Sequence, residues 1–214
     1  MVDLLLRLVD FVLHLDVHLD ELVANYGTWI YAILFLIIFC ETGLVVLPLL
    51  PGDSLLFAAG AVAASGRLDI VGLCILLVTA AILGNAVNYW VGRLAGHELQ
   101  QRFPRLIKQQ YLDRTRAYFE RYGGKTVIIA RFVPIVRTVA PFAAGVGQMT
   151  HLRYQLYNIT GSVLWVLLLV PAGYFFANVP IVKENFSTVI VGIIIISVLP
   201  AVIEFVRERS RTLR

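Results

Sequence analysis

Four ionisable side chains, Glu41, Asp53, Arg131 and Arg137, stand in stretches otherwise dominated by Leu, Ile, Val, Ala and Phe. An ionised group at the centre of a membrane helix costs roughly 2.5–3.5 kcal/mol, and four left unpaired would cost on the order of 10 kcal/mol. That is as much as the whole stability of many domains. Such groups must pair, face water or change protonation. The two arginines suggest anion binding, because a guanidinium is a permanent cation whose planar fork of N–H groups matches phosphate oxygens. The two acids suggest proton carriage, the usual work of carboxyls held in an apolar setting. Arg131 and Arg137 are therefore candidate substrate-binding residues, and Glu41 and Asp53 candidate proton-coupling residues. On an unbroken helix the two arginines would point about 240° apart, so a break at Pro134 is expected to turn both toward one cavity. Pro141 is expected to begin a short half-helix whose positive end adds to the anion site. Asn85 and Asn88 join the substrate-binding set as hydrogen-bonding groups, with helix-packing glue as the equal alternative. Asp53, directly after Pro51-Gly52, also reads as a helix N-cap. The plain alternative for all four charges is a pair of buried salt bridges that only fix packing.

Other chemistries find no support. His14 and His18 stand four apart, a metal-compatible spacing, but they read better as polar-face residues at a membrane surface. Cys40 and Cys74 lie in apolar runs and read as small core residues. There is no paired-histidine zinc motif, nucleophile elbow or Walker loop. No enzyme activity, cofactor or metal is expected.

The elements that must position these residues belong in a bilayer. The 214 residues are 59% hydrophobic and only 15% charged, with a mean hydropathy of +0.81, against roughly 25% charged for a soluble domain. The expected fold is an all-α polytopic membrane protein without a cleavable signal peptide. Residues 1–27 form an amphipathic N-terminal segment, with Leu4, Leu8, Phe11, Leu15, Leu19 and Leu22 at the helical period. Residues 28–206 are one membrane domain. In it, a hairpin at about 41–65 turns at Pro48, Pro51 and Gly52; its arm Ser54–Ala64 is too short to cross about 30 Å of hydrocarbon. Ile70–Gly92 crosses, residues 93–125 are basic, and a second hairpin occupies about 126–150. Tyr154–Val182 and Asn185–Ile203 are two further spans, and 207–214 is a basic tail. The basic segment and tail are cytoplasmic by the positive-inside rule, and an even number of crossings between them makes 126–150 re-entrant. Phe57-Ala58-Ala59-Gly60 returns as Phe142-Ala143-Ala144-Gly145, and Tyr89 matches Tyr174 at the same offset. Each half is thus a hairpin followed by a span, the two halves inverted, as in many secondary transporters.

Glu41-Thr42-Gly43, Pro51-Gly52-Asp53-Ser54-Leu55-Leu56, Gly123-Gly124-Lys125 and Arg131-Phe132-Val133-Pro134-Ile135-Val136-Arg137-Thr138 together resemble the DedA family, which is related to the VTT-domain (SNARE-associated Golgi protein) scramblases. The resemblance runs through nearly the whole chain. It implies a bacterial inner-membrane lipid translocase that returns undecaprenyl phosphate to the cytoplasmic leaflet for envelope synthesis, with phosphatidylethanolamine as the other lipid linked to the family. It also implies dependence on the proton-motive force, with Glu41 and Asp53 as the acidic pair and Arg131 and Arg137 as the basic pair. The expected partners are the bilayer and that lipid, with room for a homo-oligomer and no nucleic acid. A proton-coupled antiporter for ions or small solutes is the first rival and a non-transporting scaffold the second. A lipid-wide lateral cleft would favour the lipid carrier, and a closed, narrow cavity the antiporter.

Overall fold

The computed structural model describes residues 27–44, 52–102, 125–132 and 134–180, with positions 188, 189 and 192; side chains are described for all but 95–102, 134 and 135. The expected amphipathic segment, most of the basic segment, all but three positions of the span Asn185–Ile203, the tail and both His14 and His18 lie outside the described residues. Among those described, every regular element is a helix: α1 Trp29–Gly43, α2 Gly52–Ala64, α3 Ile70–Arg102, α4 Lys125–Ala130, α5 Pro134–Val146 and α6 His151–Phe176. Ile70–Leu94 and His151–Phe176 are long and apolar enough to cross a bilayer, the latter reaching about 39 Å at 1.5 Å per residue.

The patterning of the long helices is reversed relative to a water-soluble domain. On α3, Val71, Ile75, Leu83, Val87, Val91 and Leu94 are exposed at roughly helical spacing, while Asn85, Asn88 and Tyr89 are buried. On α6, Leu152, Leu156, Leu164 and Leu168 are exposed, while Asn158 and Ser162 are buried. Lipid solvates the apolar stripe, and the polar groups turn inward to find partners. In α1, Ile30, Leu34 and Ile38 form the buried stripe, with Glu41 continuing it at the end.

Two compact units divide the described residues. One holds 27–35, 52–77 and 166–180, the other 36–44, 78–102, 125–132 and 134–165. In the first, α2 ends through Gly66 at φ +79°, a left-handed position that glycine takes without strain. Asp69 then caps α3: its Oδ2 accepts the Gly72 N–H at 2.6 Å, while its own N–H donates to the Tyr31 hydroxyl at 2.8 Å. Gly60 of α2 lies so close to the Val170 carbonyl of α6 that a Cβ would collide with it, and Gly173 meets the Phe57 carbonyl in the same way. In the second unit, Gly145 of α5 lies against the Tyr89 carbonyl of α3, and Gly92 against the Phe142 carbonyl. The repeated Phe-Ala-Ala-Gly is therefore a helix-crossing device used twice. Its partner is not the span that follows it in sequence: α2 packs on α6 and α5 on α3.

Several boundaries differ from expectation. The first long helix runs past Gly92 to Arg102, because Gly92 is a packing site for Phe142 and not a terminator. The next begins at His151 and ends at Phe176. It follows a Schellman turn in which Met149 N–H bonds Ala144 O at 3.0 Å and Gln148 N–H bonds Gly145 O at 2.9 Å. Gln148 holds φ 56° there, where glycine is usual. The helix break falls at Arg131-Phe132, ahead of Pro134. Pro141 does not open a half-helix; it lies inside α5. Asp53 stands within the first turn of α2, which starts at Gly52, so it complements the helix dipole from inside the helix.

Candidate functional site

The second unit brings Glu41, Arg131, Arg137 and Asn85 around one small cavity, together with Thr42, Thr138 and Trp165. Four helices, α1, α3, α5 and α6, and the turn after α4 supply them. Glu41 and Thr42 end α1, and a glycine pair holds that end against α3, Gly43 lying 3.3 Å from the Gly84 carbonyl measured from an added Cβ. Arg131 sits in the turn after α4, and Arg137 one turn into α5. Proline at 134 stops α4 from continuing through and starts α5 afresh. The two arginines thereby escape the divergence of a continuous helix. Arg131 Cζ lies 5.2 Å and Arg137 Cζ 5.3 Å from the centre of the same indole, Trp165.

Arg137 Nη2 donates to Glu41 Oε1 at 2.5 Å, with the side chains 11% and 2% exposed. Arg131 lies between two carboxamides. Its Nη1 reaches Asn158 Oδ1 at 3.4 Å, and the Asn85 amide, turned to present its oxygen, accepts from both terminal guanidinium nitrogens. Asn158 is itself fixed by donation to the Ile82 carbonyl at 3.0 Å. The Tyr154 hydroxyl donates to the Asn85 carbonyl at 2.9 Å, and Tyr154 stacks on Tyr89 with ring centres 4.3 Å apart.

Asn88 has a different place. It is fully buried, and its Nδ2 donates to the carbonyl of Thr42 at 3.2 Å and to that of Thr138 at 2.9 Å. Those carbonyls follow Glu41 and Arg137 directly, so Asn88 ties together the backbones that carry the ion pair. Asp53 belongs to the other unit and is half-buried on α2. The charged side chains lining the cavity among the described residues are Glu41, Arg131 and Arg137. The cavity is about 10 Å³, room for roughly one water molecule. Sequence reasoning missed Trp165 and Asn158. Asn158 carried a signal, a polar amide in an apolar span; Trp165 carried none.

A VTT domain matches residues 50–175. The protein DedA of Escherichia coli K12 is 54% identical over 99% of this chain and 98% of its own length. The chain belongs to the DedA family. A protein named as an uncharacterized membrane protein in Mycobacterium leprae is 42% identical to this DedA-family chain over 82% of it and 81% of the relative. The inner membrane protein YqjA of E. coli K12 is 35% identical over 71% and 70%. No solved structure matches. With two membrane-length helices whose exposed faces are apolar, this is a DedA-family membrane protein. Arg131, Arg137, Asn85, Asn158 and Trp165 fall inside the VTT match, whereas Glu41 precedes it.

Proposed function

We propose that this protein carries a phosphate-bearing lipid, undecaprenyl phosphate first among them, between the leaflets of the bacterial inner membrane, and that the movement is proton-coupled. The observation that supports this most is the convergence of two permanent cations on one indole beside the Glu41 carboxylate. In the described state Glu41 occupies Arg137. A phosphate entering the site takes over that guanidinium, and Glu41 then accepts a proton because a displaced, buried carboxylate has no water to turn to. Release reverses the exchange, so one proton moves with each headgroup. Asp53 is proposed as a second proton carrier, in the α2 unit. The protein is a carrier and not an enzyme; its partners are the lipid and the bilayer, and no cofactor enters the cycle.

The segments at about 41–65 and 126–150, which hold α2 and α4–α5, are proposed to be re-entrant hairpins of inverted topology, with residues 93–125 and the tail cytoplasmic. The water-sized cavity requires α1 and α5 to part before a headgroup enters, and that parting must break the Asn88 bridge. The same small volume favours a second reading, proton-coupled antiport of a small solute. Two fixed arginines leave only an anion for that role.

Reconstitution into liposomes separates these readings. Labelled undecaprenyl phosphate, phosphatidylethanolamine and inorganic phosphate are tested in parallel vesicles. Translocation of the first supports the proposal, and translocation of inorganic phosphate alone supports the antiporter. Movement of none of them rejects both.

A further inference from the structure

The two arginines differ in the acceptors their N–H groups meet but share one indole. The edge N–H groups meet Glu41 in one case and the carboxamides of Asn158 and Asn85 in the other. All of these are oxygen acceptors, the same chemistry as phosphate, so each can be exchanged for a headgroup oxygen. The indole of Trp165 meets both guanidinium carbons at nearly equal distance, 5.2 and 5.3 Å. A π face attracts a cation through the ring quadrupole and does not compete for the in-plane N–H groups that a phosphate needs. Trp165 is 2% exposed, so little water shares that face and the attraction is near the strong end of its range.

We propose that Trp165 is the positioning residue of the anion site: it seats both guanidinium planes throughout the cycle and leaves their N–H edges to a lipid monophosphate. This rests on the phosphate-lipid reading above. The indole also offsets the mutual repulsion of two cations brought together. A phenyl ring keeps part of this function, and an aliphatic side chain keeps none of it.

The test uses the full chain in nanodiscs and measures binding of undecaprenyl phosphate and of its unphosphorylated alcohol. Trp165→Leu is expected to weaken binding of the phosphorylated lipid about tenfold or more, the size of one or two lost cation–π contacts. Trp165→Phe is expected to restore part of that loss, and binding of the alcohol stays unchanged. Should Trp165→Leu fail to fold, fluorinated tryptophans introduced at position 165 alone keep the ring's shape while draining its quadrupole. Affinity for the phosphorylated lipid then falls stepwise with each added fluorine. A parent protein that holds the phosphorylated lipid no better than the alcohol overturns the underlying reading. A parent that discriminates, with affinity indifferent to fluorination, overturns the role of Trp165 alone.

Discussion

Neutralising either partner of the Glu41–Arg137 pair exposes how much of the site's stability is electrostatic. The pair is short, at 2.5 Å, with Glu41 buried and Arg137 11% exposed. Removing one partner of such a pair typically costs about 3–5 kcal/mol, most of it the penalty of leaving the other charge uncompensated. The two single changes should not be equal. In Glu41→Gln, Arg137 keeps the Trp165 ring, worth about 0.5–2 kcal/mol, so the loss belongs near the lower end, at about 3 kcal/mol. In Arg137→Gln the more deeply buried Glu41 carboxylate loses this guanidinium, and the loss belongs nearer about 5 kcal/mol. The double variant replaces two charges by two neutral amides of similar size and should recover part of the sum, with a coupling of about 1–3 kcal/mol. Equilibrium unfolding of the purified proteins in mixed micelles measures all four corners. Additive single losses, with coupling under about 0.5 kcal/mol, would refute the claim that these groups neutralise each other. On the proposed cycle, restored stability should not restore transport, because the double variant lacks the proposed phosphate-binding guanidinium and the proposed proton carrier.

Three other outcomes follow from the same structure. Gly60→Ala and Gly145→Ala each drive a methyl into a backbone carbonyl of α6 or α3, which cannot yield as a side chain can; each should cost about 1–3 kcal/mol or more. Gly161→Ala is the control, since its Cβ would meet the flexible Arg131 Cδ at 3.4 Å and Ile128 Cα at 3.6 Å, both at ordinary contact distance or close to it. Glu41→Gln and Asp53→Asn should each lower transport and flatten its pH dependence in liposomes of varied internal and external pH; unchanged activity and pH response in both rejects proton coupling through these acids. Single cysteines in residues 93–125 should react with impermeant reagent from the cytoplasmic side, and cysteines at Thr150 and His151 from that same side. Labelling of the latter two from the periplasm alone excludes a re-entrant 126–150.

The site's charges were legible for a definite reason. Hydrocarbon does not solvate Glu41, Arg131, Arg137 or Asn85, so their presence in apolar runs already demands partners, and proline at 134 already demands a break between the arginines. Trp165 was not legible, since an aromatic residue in a membrane span is at home whether or not a cation lies on it. The duty of Asn88 was not legible either, because its partners are backbone carbonyls, which every residue has. The repeated Phe-Ala-Ala-Gly could be seen, but not its exchange of spans. Glycines at 92 and 173 mark a close approach without saying to what, and only the fold assigns Phe142 to one and Phe57 to the other. Pro141 misled for a related reason. Seven residues into α5 it removes a single i→i−4 bond, and the helix, already nucleated at Pro134, continues through it.

Whether the arginines clamp a phosphate or merely neutralise acids is decided by substituting lysine, which keeps the charge and loses the planar fork. Binding of undecaprenyl phosphate and of its unphosphorylated alcohol is measured on folded Arg131→Lys and Arg137→Lys proteins. The phosphorylated lipid should bind about tenfold or more weakly in each, the worth of one charge-assisted hydrogen bond, with the alcohol unaffected. If both lysine proteins hold the phosphorylated lipid as tightly as the parent, the arginines are not the phosphate clamp.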